Sequence, residues 1–159
     1  MLNIKQIQLE DEIQAAALLN LLKNYALDPM GGGEALSPYS QQNLIAQLKL
    51  RNDYIGWLAY WQQQPVGLLN AFEGFSTFYA KPLLNIHDLT VAKSFRGKGI
   101  ANQLMQTAEH YARTNHFCKL TLEVLTENAV ARNLYVKQGY QAYQLAENAG
   151  VAQFWQKEL

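Results

Sequence analysis

A strand-like run at residues 83–91, a glycine-spaced turn and the cleanest amphipathic helix of the chain, residues 100–115, follow one another directly, and a second strand-like run occupies residues 119–125. In the helix Leu104, Met105, Ala108, Tyr111 and Ala112 form one apolar stripe, as a helix covering a sheet requires. Strand, helix and strand in this order make a βαβ crossover, which sets its two strands parallel in one sheet.

The remaining elements must fit around that crossover. Residues 4–9 alternate Ile4, Ile7 and Leu9 with Lys5, Gln6 and Gln8, with one slip, and read as a first strand. Asp11 and Glu12 open a helix, where acidic side chains suit the positive end of the dipole, and Ile13, Ala16, Ala17, Leu21 and Leu22 recur at helical spacing. The segment Asp28-Pro29-Met30-Gly31-Gly32-Gly33 breaks it. Residues 40–50 form a second helix with Leu44, Ile45 and Leu48 inward, and strands follow at 54–61 and 66–75, joined through Pro65. Residues 128–138 form a last helix capped by Gly139, and 140–143 and 152–158 are expected to close the sheet. The expected fold is α+β in the order βααβββαβαββ, one domain over residues 1–159, without repeats.

Composition narrows the class of function. With 49% apolar and 16% charged residues the chain suits a packed globule. Thirteen basic side chains balance thirteen acidic ones, whereas a nucleic-acid partner calls for a basic excess. Apolar stretches such as 15–22 fall far short of a membrane span. Residues 1–5 lack the basic and apolar blocks of a signal peptide, so the cytoplasm is the expected compartment. Cys118 is the only cysteine, a small packed side chain rather than a nucleophile, and it permits neither an internal disulfide nor a cysteine metal cluster. His110 and His116 read as surface residues, no three-ligand spacing is present, and no metal is expected.

The turn Ser94-Phe95-Arg96-Gly97-Lys98-Gly99-Ile100-Ala101 carries the first chemical signal. Two glycines free the backbone to aim its amides at one point. The first helical turn adds amide donors without intrahelical partners, and its dipole favours an anion. Arg96 and Lys98 add positive charge, and a diphosphate suits such a site. A dinucleotide fingerprint is excluded because Asn102 stands where its third glycine belongs and the preceding strands are meander-like. An ordinary strand-to-helix turn remains the plain alternative for this segment alone.

The second signal is Leu120-Thr121-Leu122-Glu123-Val124 running on to Asn128, Ala131, Leu134, Tyr135, Gly139 and Tyr140. This pattern, N-x-x-A-x-x-L-Y-x-x-x-G-[FY], resembles the strand-and-helix motif of the GNAT N-acetyltransferases. Ile86 to Val91 followed by the Arg96–Ala101 turn looks like that family's central strand and coenzyme A loop. The resemblance implies a central mixed β-sheet flanked by helices, and acetyl transfer from acetyl-CoA to a primary amine, on a small molecule or a protein. It implies that the amides of Arg96, Gly97, Lys98, Gly99, Ile100 and Ala101 hold the pyrophosphate and that the edge of Leu89, Thr90 and Val91 pairs with pantetheine. Asn128, Ala131 and Tyr135 complete the cofactor set, although Asn128 is equally suited to be a helix N-cap. Ser94 departs from the Gln or Arg with which the family's loop more often starts, and a homodimer is left open.

The same resemblance makes Tyr135 the proton donor to the departing thiolate; on an amphipathic helix its plain alternative is a packed aromatic. For the base, Glu123 stands twelve residues before Tyr135, where N-terminal-alanine acetyltransferases of ribosomal proteins carry theirs, and it ranks first. His87 and Asp88 compete from the neighbouring strand, and strict alternation would send them to opposite faces. Trp57, Tyr60, Trp61, Phe72, Phe75, Phe78 and Tyr79 read mainly as core, with residues 75–78 and the loop 28–36 the exceptions that border an acceptor site. The rival function is a GNAT-type module that binds acyl-CoA as a sensor and catalyses nothing.

Overall fold

The computed structural model describes residues 1–144, 146 and 150–158. It divides into two compact units, Met1–Leu122 and Glu123–Leu159. In the first, β1 (Leu2–Gln6), α1 (Glu12–Ala26), α2 (Pro38–Lys49), β2 (Tyr54–Trp61), β3 (Gln64–Ser76), β4 (Lys81–Val91), α3 (Ile100–Thr114) and β5 (Leu120–Leu122) follow in sequence. The strands lie in the order β1-β2-β3-β4-β5. The first three pairings are antiparallel and β4–β5 is parallel, so the crossover read around α3 is present and the sheet is mixed.

Local chemistry sets the helix starts. The Asp11 side chain accepts from the amides of Ile13 and Gln14 at the head of α1, and Ser37 caps α2 with Pro38 in the first turn. Leu58 and Leu68, register partners on β2 and β3, are fully buried against Ala17, Leu18 and Leu21 of α1 and Leu48 of α2. Trp57 points to the opposite face, where its ring meets Tyr111 of α3 at 5.5 Å. Helices α1 and α2 therefore cover one face of the sheet and α3 the other. Among the described residues no helix is long and apolar enough to cross a membrane.

The second unit holds α4 (Ala129–Lys137). Asn128 is its N-cap, with Oδ1 accepting from the Ala131 amide at 3.1 Å. Gly139 follows the helix at φ +85°, and the Tyr140 amide returns to the Tyr135 carbonyl at 3.0 Å.

Three expectations need correction. The first strand ends at Gln6 rather than Leu9, because residues 7–10 turn into the Asp11 cap. The strand expected over 119–125 is only Leu120–Leu122, so Glu123 lies just past its end. The two closing strands are not formed among the described residues: 140–143 and 152–158 share one backbone bond, Ala152 amide to Tyr143 carbonyl. Residues 141–143 and 152–158 are exposed, and a pair of segments with no face to bury lacks what stabilises a ladder.

Candidate active site

The pairing of β4 with β5 runs only from Leu84↔Leu120 to Ile86↔Leu122. β4 continues to Val91, and beyond Ile86 no described strand pairs with it on that side. Its other side stays bonded to β3 through Gly67↔Val91. The edge of Leu89, Thr90 and Val91 thus carries backbone groups that an extended ligand can pair with as a strand would, except the Val91 carbonyl, which accepts from Arg96 Nε.

The β3–β4 register shifts at one point. Ala71 faces Ile86 and Asn70 faces Asp88, leaving His87 as the extra residue of a β-bulge. The bulge overturns the alternation argument. The His87 ring meets Phe72 edge-on at 5.2 Å, and the Asp88 carboxylate accepts from Asn70 Nδ2 at 2.9 Å. Phe72 and Asn70 are two apart on β3 and share a face, so His87 and Asp88 reach the same side of the sheet. It is the side that α1 and α2 cover. A cleft of about 410 Å³ opens there, lined by Arg51, Phe72, Glu73, Gly74, Asn85 and His87.

Behind Asp88 stands a buried chain of polar groups that the sequence reading missed. Tyr54 Oη donates to Asn70 Oδ1 at 2.9 Å, and Asn70 is 4% exposed. Burial, and then the Asp88 charge, push the Tyr54 phenol far above its ordinary value. Tyr25 of α1 is raised by burial first, then by the charges of Asp88 and Asp28. A sequence signal did exist: Asn70 interrupts the apolar run Val66-Gly67-Leu68-Leu69-Asn70-Ala71, and a buried amide persists only where it is bonded.

Past Val91 a short 3-10 turn, Lys93–Phe95, leads into the glycine turn. Gly97 and Gly99 stand at φ +76° and +77°, the left-handed region that favours glycine, and Gly99 is the N-cap of α3. A Cβ built on either would meet nothing within 4 Å. Among the described residues the amides of Gly97, Lys98, Gly99, Ile100 and Ala101 donate to no other group. Free amides at a helix start, open space before them and an unpaired strand edge just upstream fit a diphosphate joined to an extended arm.

One of the two basic side chains of the turn is placed differently from expectation. Arg96 turns to the α1–α2 loop, with Nη2 2.8 Å from Asp28 Oδ2 and Nε donating to the Val91 carbonyl at 3.0 Å. The Met30 amide, and next the Arg96 guanidinium, hold the Asp28 carboxyl below its usual range. Lys98 Nζ lies 5.0 Å from the Phe95 ring centroid and 5.3 Å from that of Trp61, an arrangement of cation–π type. Among the aromatics Trp57 is core, whereas Phe75, Phe78 and Tyr79 are exposed at the β3–β4 hairpin, so the core reading fails for Tyr79, while Phe75 and Phe78 were already set apart from it. Cys118 is half-buried, and His110 and His116 are exposed.

In the second unit Glu123 is exposed and Tyr135 is half-buried on α4, its ring 6.0 Å from that of Tyr140. Asn128 Oδ1 is committed to the helix cap. Its Nδ2 makes no bond among the described residues.

The profile described as the acetyltransferase (GNAT) family matches residues 15–140. Streptothricin acetyltransferase A of Bacillus subtilis (strain 168) is 28% identical over 106 residues, 67% of this chain and 46% of that protein, so the match spans less than half of that relative. An uncharacterized N-acetyltransferase of the same organism, YhfO, is 28% identical over 142 residues, 88% of this chain and 90% of that one. The crystal structure of a probable acetyltransferase superposes with a TM-score of 0.79 at 22% identity, covering 97% of this chain and 99% of the other.

Proposed function

We propose that this chain, which belongs to the acetyltransferase (GNAT) family, acetylates a primary amine of a small polar molecule, with residues 1–159 acting as one transferase domain. The observation that carries the reading is the join of two features in the first unit. The unpaired β4 edge runs straight into a turn whose amides are free. The name of the streptothricin-acetylating relative supports a small-molecule acceptor, and the YhfO match, covering most of both chains, supports the single domain.

When bound, acetyl-CoA supplies the acetyl thioester: the amine nitrogen bonds its carbonyl carbon, the C–S bond breaks, and the thiol leaves. The Gly97–Ala101 amides and Lys98 hold the pyrophosphate and the Leu89–Val91 edge holds the pantetheine arm; Asn128 and Ala131 are assigned to the cofactor by their place in the family motif alone. Tyr135, by its place in the family motif, gives the proton the departing thiolate needs. The amine must first lose one. An alkyl ammonium with pKa about 10.4 is neutral in only about one molecule per thousand at pH 7.4.

Glu123, His87 and Asp88 compete for that proton, and Asp88 has the strongest claim. Its Oδ2 is fixed by Asn70, while Oδ1 makes no bond among the described residues and is left to accept. Glu123, first by sequence, is exposed.

Thiol release from acetyl-CoA, followed over a panel of primary amines, tests the reading. Turnover with at least one amine and a mass gain of one acetyl group on it is the expected result. Tight coenzyme A binding without turnover on any amine would replace it with the sensor reading.

A further inference from the structure

We propose that Asn70 and Tyr54 are positioning residues of the transfer: they hold the Asp88 carboxylate, through a two-bond chain inside the sheet, in the orientation that takes a proton from a cationic amine. The inference rests on the amine-acetylation reading above and adds two residues to it.

The chain has one sense only. A carboxylate accepts and does not donate, so Asn70 must present its NH₂ to Asp88. That leaves Asn70 Oδ1 for Tyr54, whose hydroxyl hydrogen is thereby committed to it. A phenol whose ionisation is suppressed, as that of Tyr54 is, stays a donor at neutral pH. Each member fixes the next, and the outermost atom, Asp88 Oδ1, is the one without a bond among the described residues.

Packing alone does not explain why these groups are polar. Asn70, itself 4% exposed, shares its face of β3 with the fully buried Leu68, and leucine there would fill the space without an amide to satisfy. Replacing a buried polar pair with apolar groups is often neutral or stabilising, so stability alone gives no reason for the amide. The backbone serves the same end: the bulge that places His87 outside the register brings Asp88 directly opposite Asn70. Without the extra residue, Asp88 would point to the α3 face and the chain would end on nothing.

The test is a double-mutant cycle in the full chain with Asn70→Leu, Tyr54→Phe, Asp88→Asn and the pairs with Asp88→Asn. Thiol release is read at saturating acetyl-CoA with spermidine, free lysine and an aminoglycoside as probes. Thermal unfolding and the calorimetric affinity for coenzyme A are read beside it. Asn70→Leu should lower kcat about tenfold or more, as losing a hydrogen bond to a charged group does, with coenzyme A affinity held. Tyr54→Phe keeps the ring and its packing, should lose less, and keeps the cycle readable if Asn70→Leu does not fold. In the Asp88→Asn background neither change should cost anything further, because the carboxylate they position is gone. Equal losses in both backgrounds, or no loss in a folded single variant, would overturn the inference and leave amine acetylation standing. A wild-type protein silent on every amine would overturn both.

Discussion

Gly99→Ala separates strain from ligand binding. At φ +77° an L-residue pays the left-handed penalty, on the order of 1 kcal/mol. No clash adds to it, since a Cβ at this position meets nothing within 4 Å. A loss of about 1 kcal/mol lowers the melting temperature by about 2–4 °C in a chain of this size. The binding cost is larger and has another origin: the open space that spares the fold is where the anion must approach the Ile100 and Ala101 amides. Losing one charge-assisted hydrogen bond costs about 1.5–3 kcal/mol, which is roughly 10- to 150-fold in Kd. Calorimetric titration with coenzyme A and a melting curve give the two numbers separately. Gly139→Ala is the control. Its φ of +85° and its open surroundings match those of Gly99, but it stands at the end of α4, so it should lower the melting temperature alike and leave Kd unchanged. Proline at Gly97 or Gly99 is harsher, since it removes the amide and cannot take a positive φ. A folded Gly99→Ala protein with wild-type affinity would refute the assignment of the turn to the pyrophosphate.

Tyr135→Phe should lower kcat roughly ten- to a thousandfold while coenzyme A affinity holds, in the range of general acid catalysis; full turnover on the best acceptor would make the ring a packing residue. Asp88→Asn should lose most activity at low pH, where almost all acceptor is protonated, and recover toward about pH 9 as neutral amine becomes less scarce. Glu123→Gln should keep the wild-type profile, and the reverse pattern would move the base to Glu123. Tyr54, its folded pKa raised by burial and by Asp88, gives stability that is complete below the unfolded value of about 10 and is lost as pH rises above it. Denaturant titrations should therefore show the chain weakening above about pH 10, and Tyr54→Phe should make that fall shallower; an identical slope in the variant would show that Tyr54 ionises as freely folded as unfolded.

Where periodicity had a face to report, it placed the elements well. The stripe of α3 and the apolar runs of β2, β3 and β4 exist because each buries one or both faces, and burial is what patterning records. The same logic explains the failures. Residues 141–143 and 152–158 carry alternating or aromatic side chains but are exposed among the described residues, so their pattern does not record burial. The bulge at His87 is a matter of register between two strands, and no property of β4 alone announces it. The pairing of Asp88 with Asn70, eighteen residues apart, depends on that register. The glycine turn and the Asn128 motif were legible because their geometry is local: positive φ, a helix start and a cap are each encoded within a few residues.

Arg96 shows where counting charge in a sequence parts from the chemistry of a site. Read along the chain, its guanidinium belongs to the anion. In the fold it lies on Asp28 Oδ2 and on the Val91 carbonyl, and the pair carries no net charge toward a ligand. Asp28 does more than neutralise it. Its Oδ1 accepts from the Met30 amide at 3.0 Å, and its carbonyl accepts from the amides of Gly31 and Gly33, so the bridge ties the α1–α2 loop to the end of β4. What remains for the anion is Lys98, the positive end of α3 and the free amides. Two unit charges about 4 Å apart in water gain only about 1 kcal/mol, whereas each amide bonded to a charged oxygen contributes about 1.5–3. On the proposed reading the amides would therefore dominate the hold on a diphosphate even though the turn reads as basic, and the two glycines that aim those amides would matter more to binding than the arginine between strand and helix.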